Sequence, residues 1–242
     1  MTGEQVWLAL LALVVGWVGG GLVNCAADSL PGVQSRGERS DYGALWRDRS
    51  HCWVLWWYWR RRGRCPHCGQ TLGWRYPVTE LAAITLTLIV AVQWGWALET
   101  AIGWLYALFL LAVAVIDFEH HRVLNIMLAP AAVVAALISL LPPAPDPLSM
   151  AIGGVVGFGI FLLLAIIGRG ALGMGDVKLA GVIGMMAGYP TVLTALIIGA
   201  IAGGVAALVL LVSRKATRKT KIAYAPYLAL GVLLTMWIGF GV

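Results

Sequence analysis

The sequence predicts an all-α polytopic membrane protein of about eight transmembrane helices, with a small cytoplasmic cysteine-containing loop after the first of them. Three observations carry this expectation: apolar runs of near-membrane length recur along the chain, basic residues segregate onto alternate connections, and one long polar stretch interrupts the apolar pattern. Of 242 residues, 60% are hydrophobic and 12% charged, with a mean hydropathy of +0.85. Soluble domains do not reach such values. A helix rises about 1.5 Å per residue, so roughly 20 apolar residues cross a hydrocarbon core about 30 Å thick.

The first run, Val6 to Val23, follows Glu4 and lacks a basic n-region, so it reads as a retained transmembrane helix, not as a secretory signal. Hydropathy places helices near 5–24, 78–98, 100–116, 123–141, 149–168, 177–188, 190–212 and 222–241. The sixth is short, and only Tyr189-Pro190 divides it from the seventh. Pro142-Pro143-Ala144-Pro145-Asp146-Pro147 reads as a stiff external turn. No internal repeat or low-complexity tract is visible. The chain divides into a first helix over 1–26, a cytoplasmic loop over 27–77 and a seven-helix membrane core over 78–242.

Lys and Arg near helix ends stay on the cytoplasmic side, which sets the orientation. With the N-terminus outside, the inside segments are 27–77, 117–122, 169–176 and 213–221. Nine arginines fall in the first: Arg36, Arg39, Arg47, Arg49, Arg60, Arg61, Arg62, Arg64 and Arg75. Arg122 falls in the second, and Arg169 in the third, with Lys178 just past its edge. Arg214, Lys215, Arg218, Lys219 and Lys221 fall in the fourth, which accounts for all 17 basic residues. The net charge of +6 then reflects orientation and contact with anionic lipid, with no need for nucleic acid as a partner.

Against this background two carboxylates stand out, because ionisable groups at the edges of apolar helices are costly and mark functional cavities. Asp117 ends the apolar run from Leu110 to Ile116, and Asp176 follows Gly173-Met174-Gly175 at the start of the sixth helix, both on the cytoplasmic side. Two carboxylates that reach a common water can share one proton, since both cannot easily ionise a few ångströms apart. One then serves as base on the water and the other as acid toward the scissile carbonyl or leaving amine, as in aspartic proteases. The plainer readings are a helix cap for Asp176 and an interfacial residue beside Glu119, His120, His121 and Arg122 for Asp117.

In the polar loop, Cys65-Pro66-His67-Cys68 forms a knuckle whose sulfurs suit one tetrahedral zinc. Cys52 supplies a third thiolate, and His51 or His67 a fourth ligand, although His67 would point outward between the knuckle cysteines. The alternative is a redox or idle thiol pair. Cys25 reads as a small apolar residue. The run Trp53-Val54-Leu55-Trp56-Trp57-Tyr58-Trp59 beside Arg60-Arg61-Arg62 reads as an interfacial anchor.

These features, in this order, resemble the type IV prepilin peptidases of the GxGD aspartyl protease class. Asn24 followed by Leu30-Pro31, Arg62 to Gly69, Trp74 to Leu81, Ile116-Asp117, and Gly173-Met174-Gly175-Asp176-Val177-Lys178-Leu179 carry the resemblance, the last being the most specific. The resemblance implies that Asp117 and Asp176 are the catalytic pair, with Gly173, Gly175 and Lys178 in the active-site loop. It implies a bacterial cytoplasmic (inner) membrane protease that removes a short basic leader from prepilins or pseudopilins. It also implies, as in many members, methylation of the new N-terminus by S-adenosylmethionine, and a structural zinc in the loop. The sequence departs from the family pattern in lacking the second cysteine of the first CxxC pair. Ser29 stands where arginine is common, and Asn125 where proline with aspartate or asparagine is usual. An ion-coupled transporter using the two aspartates is the alternative, although such sites tend to lie near the midplane within repeated halves. A non-enzymatic assembly factor would leave the glycine-flanked Asp176 without evident use.

Overall fold

The computed structural model describes residues 3–35, 73–142, 144–168, 172–213 and 223–239. Among them are eight helices and no strands: α1 (Gly3–Ser35), α2 (Arg75–Trp94), α3 (Leu98–His120), α4 (Asn125–Ile138), α5 (Pro147–Ile167), α6 (Met174–Ala187), α7 (Thr191–Val212) and α8 (Ala225–Gly239). The helix count and order agree with the hydropathy reading. α1, α2, α3, α5 and α7 are long and apolar enough to cross a membrane. Their outward residues are themselves apolar: Trp7, Val92, Val155, Leu163, Ile201 and Leu208 are all well exposed. Large apolar side chains exposed along helices of this length are stable against lipid. The protein is a multi-pass membrane protein.

One boundary differs substantially from expectation, since α1 continues through Ser35 where hydropathy ends near residue 24. The added turns are polar, and Asp28 and Ser29 in them have partners. Ser29 Oγ donates to the Cys25 carbonyl, Asp28 pairs with Arg75, and the Tyr76 hydroxyl donates to Asp28 Oδ2 at 3.0 Å. Hydropathy registers the loss of apolar character but not these bonds.

The chain forms two compact units, Met1–Val115 and Ile116–Val242. In the first, α1 packs on α2. Small residues allow it: a Cβ at Gly20 would stand 2.7 Å from the Glu80 Cα. Polar side chains then bond across the helices, as is usual where no water competes. Thr87 Oγ1 donates to the Ala12 carbonyl at 2.8 Å, Trp104 Nε1 donates to the Thr87 carbonyl at 2.8 Å, and the buried Asn24 donates to the Tyr76 carbonyl at 3.2 Å.

In the second unit α6 is the central helix, in contact with α4, α5, α7 and α8. Its buried residues include Val177, Leu179, Ala180, Ile183 and Met186, which lie around the whole helix. A helix apolar on every side belongs inside protein. Protein neighbours cover it, so its 14 residues do not have to match the membrane thickness. The contact with α5 is backbone on backbone. A Cβ at Gly153 would collide with the Gly184 carbonyl oxygen, one at Gly157 with the Ala180 carbonyl oxygen, and one at Gly184 with the Gly153 carbonyl oxygen. At the far end of this seam Asp146 caps α5 by accepting from the Leu148 and Ser149 amides, and Ser149 Oγ donates to the Tyr189 carbonyl at 2.9 Å. This capping turn lies where a stiff external turn was expected.

Candidate active site

Both aspartates lie in the second unit, each at a helix end. Asp117 is near the C-terminus of α3 and only 4% exposed. The helix stops four residues later at His121, whose positive φ of 49° turns the chain while its amide still bonds the Asp117 carbonyl at 2.8 Å. Asp117 also reaches across 108 positions of sequence: its Oδ2 accepts from the Ala225 amide at 3.0 Å, and the Tyr224 backbone donates to it as well. Those amides open α8, where the first N–H groups have no intrahelical partner and carry the positive end of the helix dipole.

Asp176 lies in the first turn of α6, outside the five long spans. Gly173 is the N-cap, and the Asp176 carboxylate, three residues on, folds back to accept from the Gly173 backbone. That return is the carboxylate half of a capping box. The two glycines before Asp176 have separate reasons. A Cβ on Gly173 would stand 3.2 Å from Asp176 Oδ2 and crowd the returning carboxylate. A Cβ on Gly175 would stand 2.9 Å from the Val123 Cβ and 3.3 Å from its carbonyl oxygen. Gly175 therefore lets the start of α6 press against the α3–α4 turn. Lys178 Nζ fastens the same junction by donating to Asn125 Oδ1, the first residue of α4, at 3.0 Å.

The exit of Asp117 from α3 and the entry of Asp176 into α6 thus meet at the α3–α4 turn, and the Asp117 charge acts on Asp176. Burial pushes Asp176 up to about 6, the Asp117 charge adds to this, and the Gly173 bond opposes it. Two acids so placed favour a state with one proton between them. Tyr224 forms part of the surroundings; burial and then the Asp176 charge raise its phenol. Its ring packs 6.0 Å from that of Phe161 and 6.4 Å from that of Tyr227.

Of the residues singled out from sequence, Asp117, Asp176, Gly173, Gly175 and Lys178 come together here. Tyr224 and Ala225 were missed. Ala225 acts through its backbone amide, and no side-chain pattern marks an amide. Cys52, Cys65, Cys68, His51 and His67 lie outside the described residues. Among the described residues no group of three or more His, Cys, Asp or Glu could hold a metal.

The Type IV leader peptidase family matches residues 104–208, a segment that contains both aspartates and the α3–α4 turn. Over that segment the chain is similar to the type IV leader peptidase family. The bacterial Peptidase A24 N-terminal domain matches residues 14–94, so family likeness runs through both units. A prepilin leader peptidase/N-methyltransferase of Pseudomonas aeruginosa is 28% identical over 72% of this chain and 62% of its own length. One of Bacillus subtilis is 25% identical over 74% of this chain and 72% of its own. One of Dickeya chrysanthemi is 27% identical over 94% of this chain and 91% of its own. The chain thus spans under two thirds of the Pseudomonas aeruginosa relative's length. No solved structure matches.

The steric role of Gly175 can be tested directly. Gly175→Ala pushes Val123 away from α6 and displaces Asp176 relative to Asp117. A misplacement on the order of 1 Å costs catalysis about 10²-fold. Gly175→Ala is expected to lose, on that scale, any activity that needs the two acids together, while Gly204→Ala, where a Cβ meets open space, does not. Equal rates for the two variants would remove the steric argument.

Proposed function

We propose that the chain is an intramembrane aspartyl endopeptidase that removes the short basic leader of type IV prepilins or pseudopilins at the cytoplasmic face of the bacterial inner membrane. The single observation that carries this reading is the convergence on the α3–α4 turn of a buried carboxyl at the end of α3 and a half-buried one at the glycine-flanked start of α6, close enough that the Asp117 charge acts on Asp176. The prepilin leader peptidases among the relatives supply the substrate class. Asp117 and Asp176 are the catalytic pair in this proposal, and Gly173, Gly175 and Lys178 shape the loop between them. The clustering of all 17 basic residues on one set of connections supports an N-terminus outside and the aspartates on the cytoplasmic side.

The relatives' names also carry N-methyltransferase. Methylation of the new N-terminus with S-adenosylmethionine is the second part of the proposal, and a structural zinc on Cys52, Cys65 and Cys68, with His51 as the fourth ligand, is the third. The test is co-expression with a prepilin, followed by mass spectrometry of the product. Loss of the leader is expected, with an added methyl group if the transferase is present. An inserted protein that leaves the precursor whole would overturn the proteolytic reading.

A further inference from the structure

We infer that the amino end of α8 is a third component of this site: the Ala225 N–H holds Asp117 as the carboxylate member of the pair, which leaves Asp176 to carry the proton. The inference rests on the proposed peptide cleavage and goes on to say which acid does what. Asp117 accepts from two backbone amides, of Ala225 and Tyr224, at the positive end of a helix. Asp176 accepts from one, of Gly173. Burial of Asp117 opposes its charge, and the hydrogen bonds and positive dipole at the start of α8 are what offset that burial, so this acid depends on the amides to be the one that gives up its proton. Ala225 is wholly buried and Asp117 nearly so, which keeps water from competing for the bond. Among the described residues, the other charged and titratable groups that act on the pair are His121, which favours the Asp117 charge, and Tyr224, which faces Asp176.

The reaction then has a direction. Asp117 takes a proton from water as the water oxygen bonds to the scissile carbonyl carbon, and Asp176 gives its proton to the carbonyl oxygen. Collapse of the resulting gem-diol returns one hydroxyl proton to Asp176, breaks the C–N bond and delivers the Asp117 proton to the leaving nitrogen. Peptide and water become acid and amine, and both aspartates recover their starting states. Ala225 is a positioning residue here, because its amide acts only through Asp117.

The test removes one hydrogen atom's worth of chemistry. Ala225→Pro deletes the N–H at the first helical position, where proline is tolerated. Should that variant misfold, lactic acid installed at position 225 replaces the N–H by oxygen and leaves the side chain in place. Both are assayed as full chains in liposomes against a prepilin. In the unaltered protein the descending limb of kcat/KM is expected near pH 6, where Asp176 loses its proton. Without the amide, kcat is expected to fall about 10-fold to 100-fold, the worth of one hydrogen bond to a charged group. The ascending limb moves up by about one pH unit because the Asp117 carboxylate is less favoured, and KM stays put. Ala225→Gly, which keeps the N–H, keeps the ascending limb.

An ascending limb unmoved by the ester or by proline, or moved equally by glycine, overturns the inference. If Asp117→Asn and Asp176→Asn still cleave, the proposed reaction itself has failed. If they are inactive while the ester leaves the pH profile intact, only the role of α8 has.

Discussion

Asparagine in place of Asp117, or of Asp176, is expected to abolish leader removal, with rates down by about 10³-fold or more, on the scale of lost general acid–base catalysis. The two substitutions should cost nearly the same, and the double substitution little more, because the acids work on one proton and effects within such a unit do not add. The fold should tolerate both changes. The carboxamide that replaces the carboxyl of Asp117 still offers a carbonyl oxygen to the Ala225 amide, and the one that replaces that of Asp176 can do the same for Gly173. Insertion and thermal unfolding in detergent should therefore stay close to those of the unaltered protein. Cleavage of a prepilin by either variant at the unaltered rate would sink the paired-acid reading.

The largest structural effect is expected at Gly184. A leucine there drives a side chain into the Gly153 backbone, which is fixed on both sides and cannot yield as a flexible side chain would. Overpacking a core by added methylenes costs about 1–3 kcal/mol, and more where backbone must move. In a chain of this size each kcal/mol lowers the unfolding midpoint by roughly 2–4 °C, so a drop of about 10 °C or outright loss of folded protein is expected. Gly159→Leu is the control, since a Cβ there meets nothing within 4 Å. Equal midpoints for the two variants would show that α5 and α6 separate more easily than their geometry implies.

Much of this was legible in the chain, for identifiable reasons. The five long helices could be read because lipid imposes long apolar runs, the shorter three because they are apolar as well, and the pair Asp117 and Asp176 because a carboxylate beside such a run needs a reason. The glycines of α5 and α6 were visible as letters, but nothing in a single sequence says that Gly153 meets Gly184 and Gly157 meets Ala180. The Ala225 amide was hidden for a deeper reason, since every residue but proline has one. The polar end of α1 was hidden because hydropathy scores Asp28 as a loop residue, whereas Arg75 and Tyr76 make it a helical one.

The seam between α5 and α6 has a further consequence for motion. Packed helices slide when side chains exchange one set of rotamers for another. Where carbonyl meets glycine there are no rotamers to exchange, so α5 and α6 move as a single beam. Asp176 rides on the end of that beam, while Asp117 is tied to α8 by an amide and to the α3–α4 turn by the chain itself. Any breathing of the site during substrate entry is then assigned to the lighter parts, the α3–α4 turn and the first turn of α8, swinging against a fixed post.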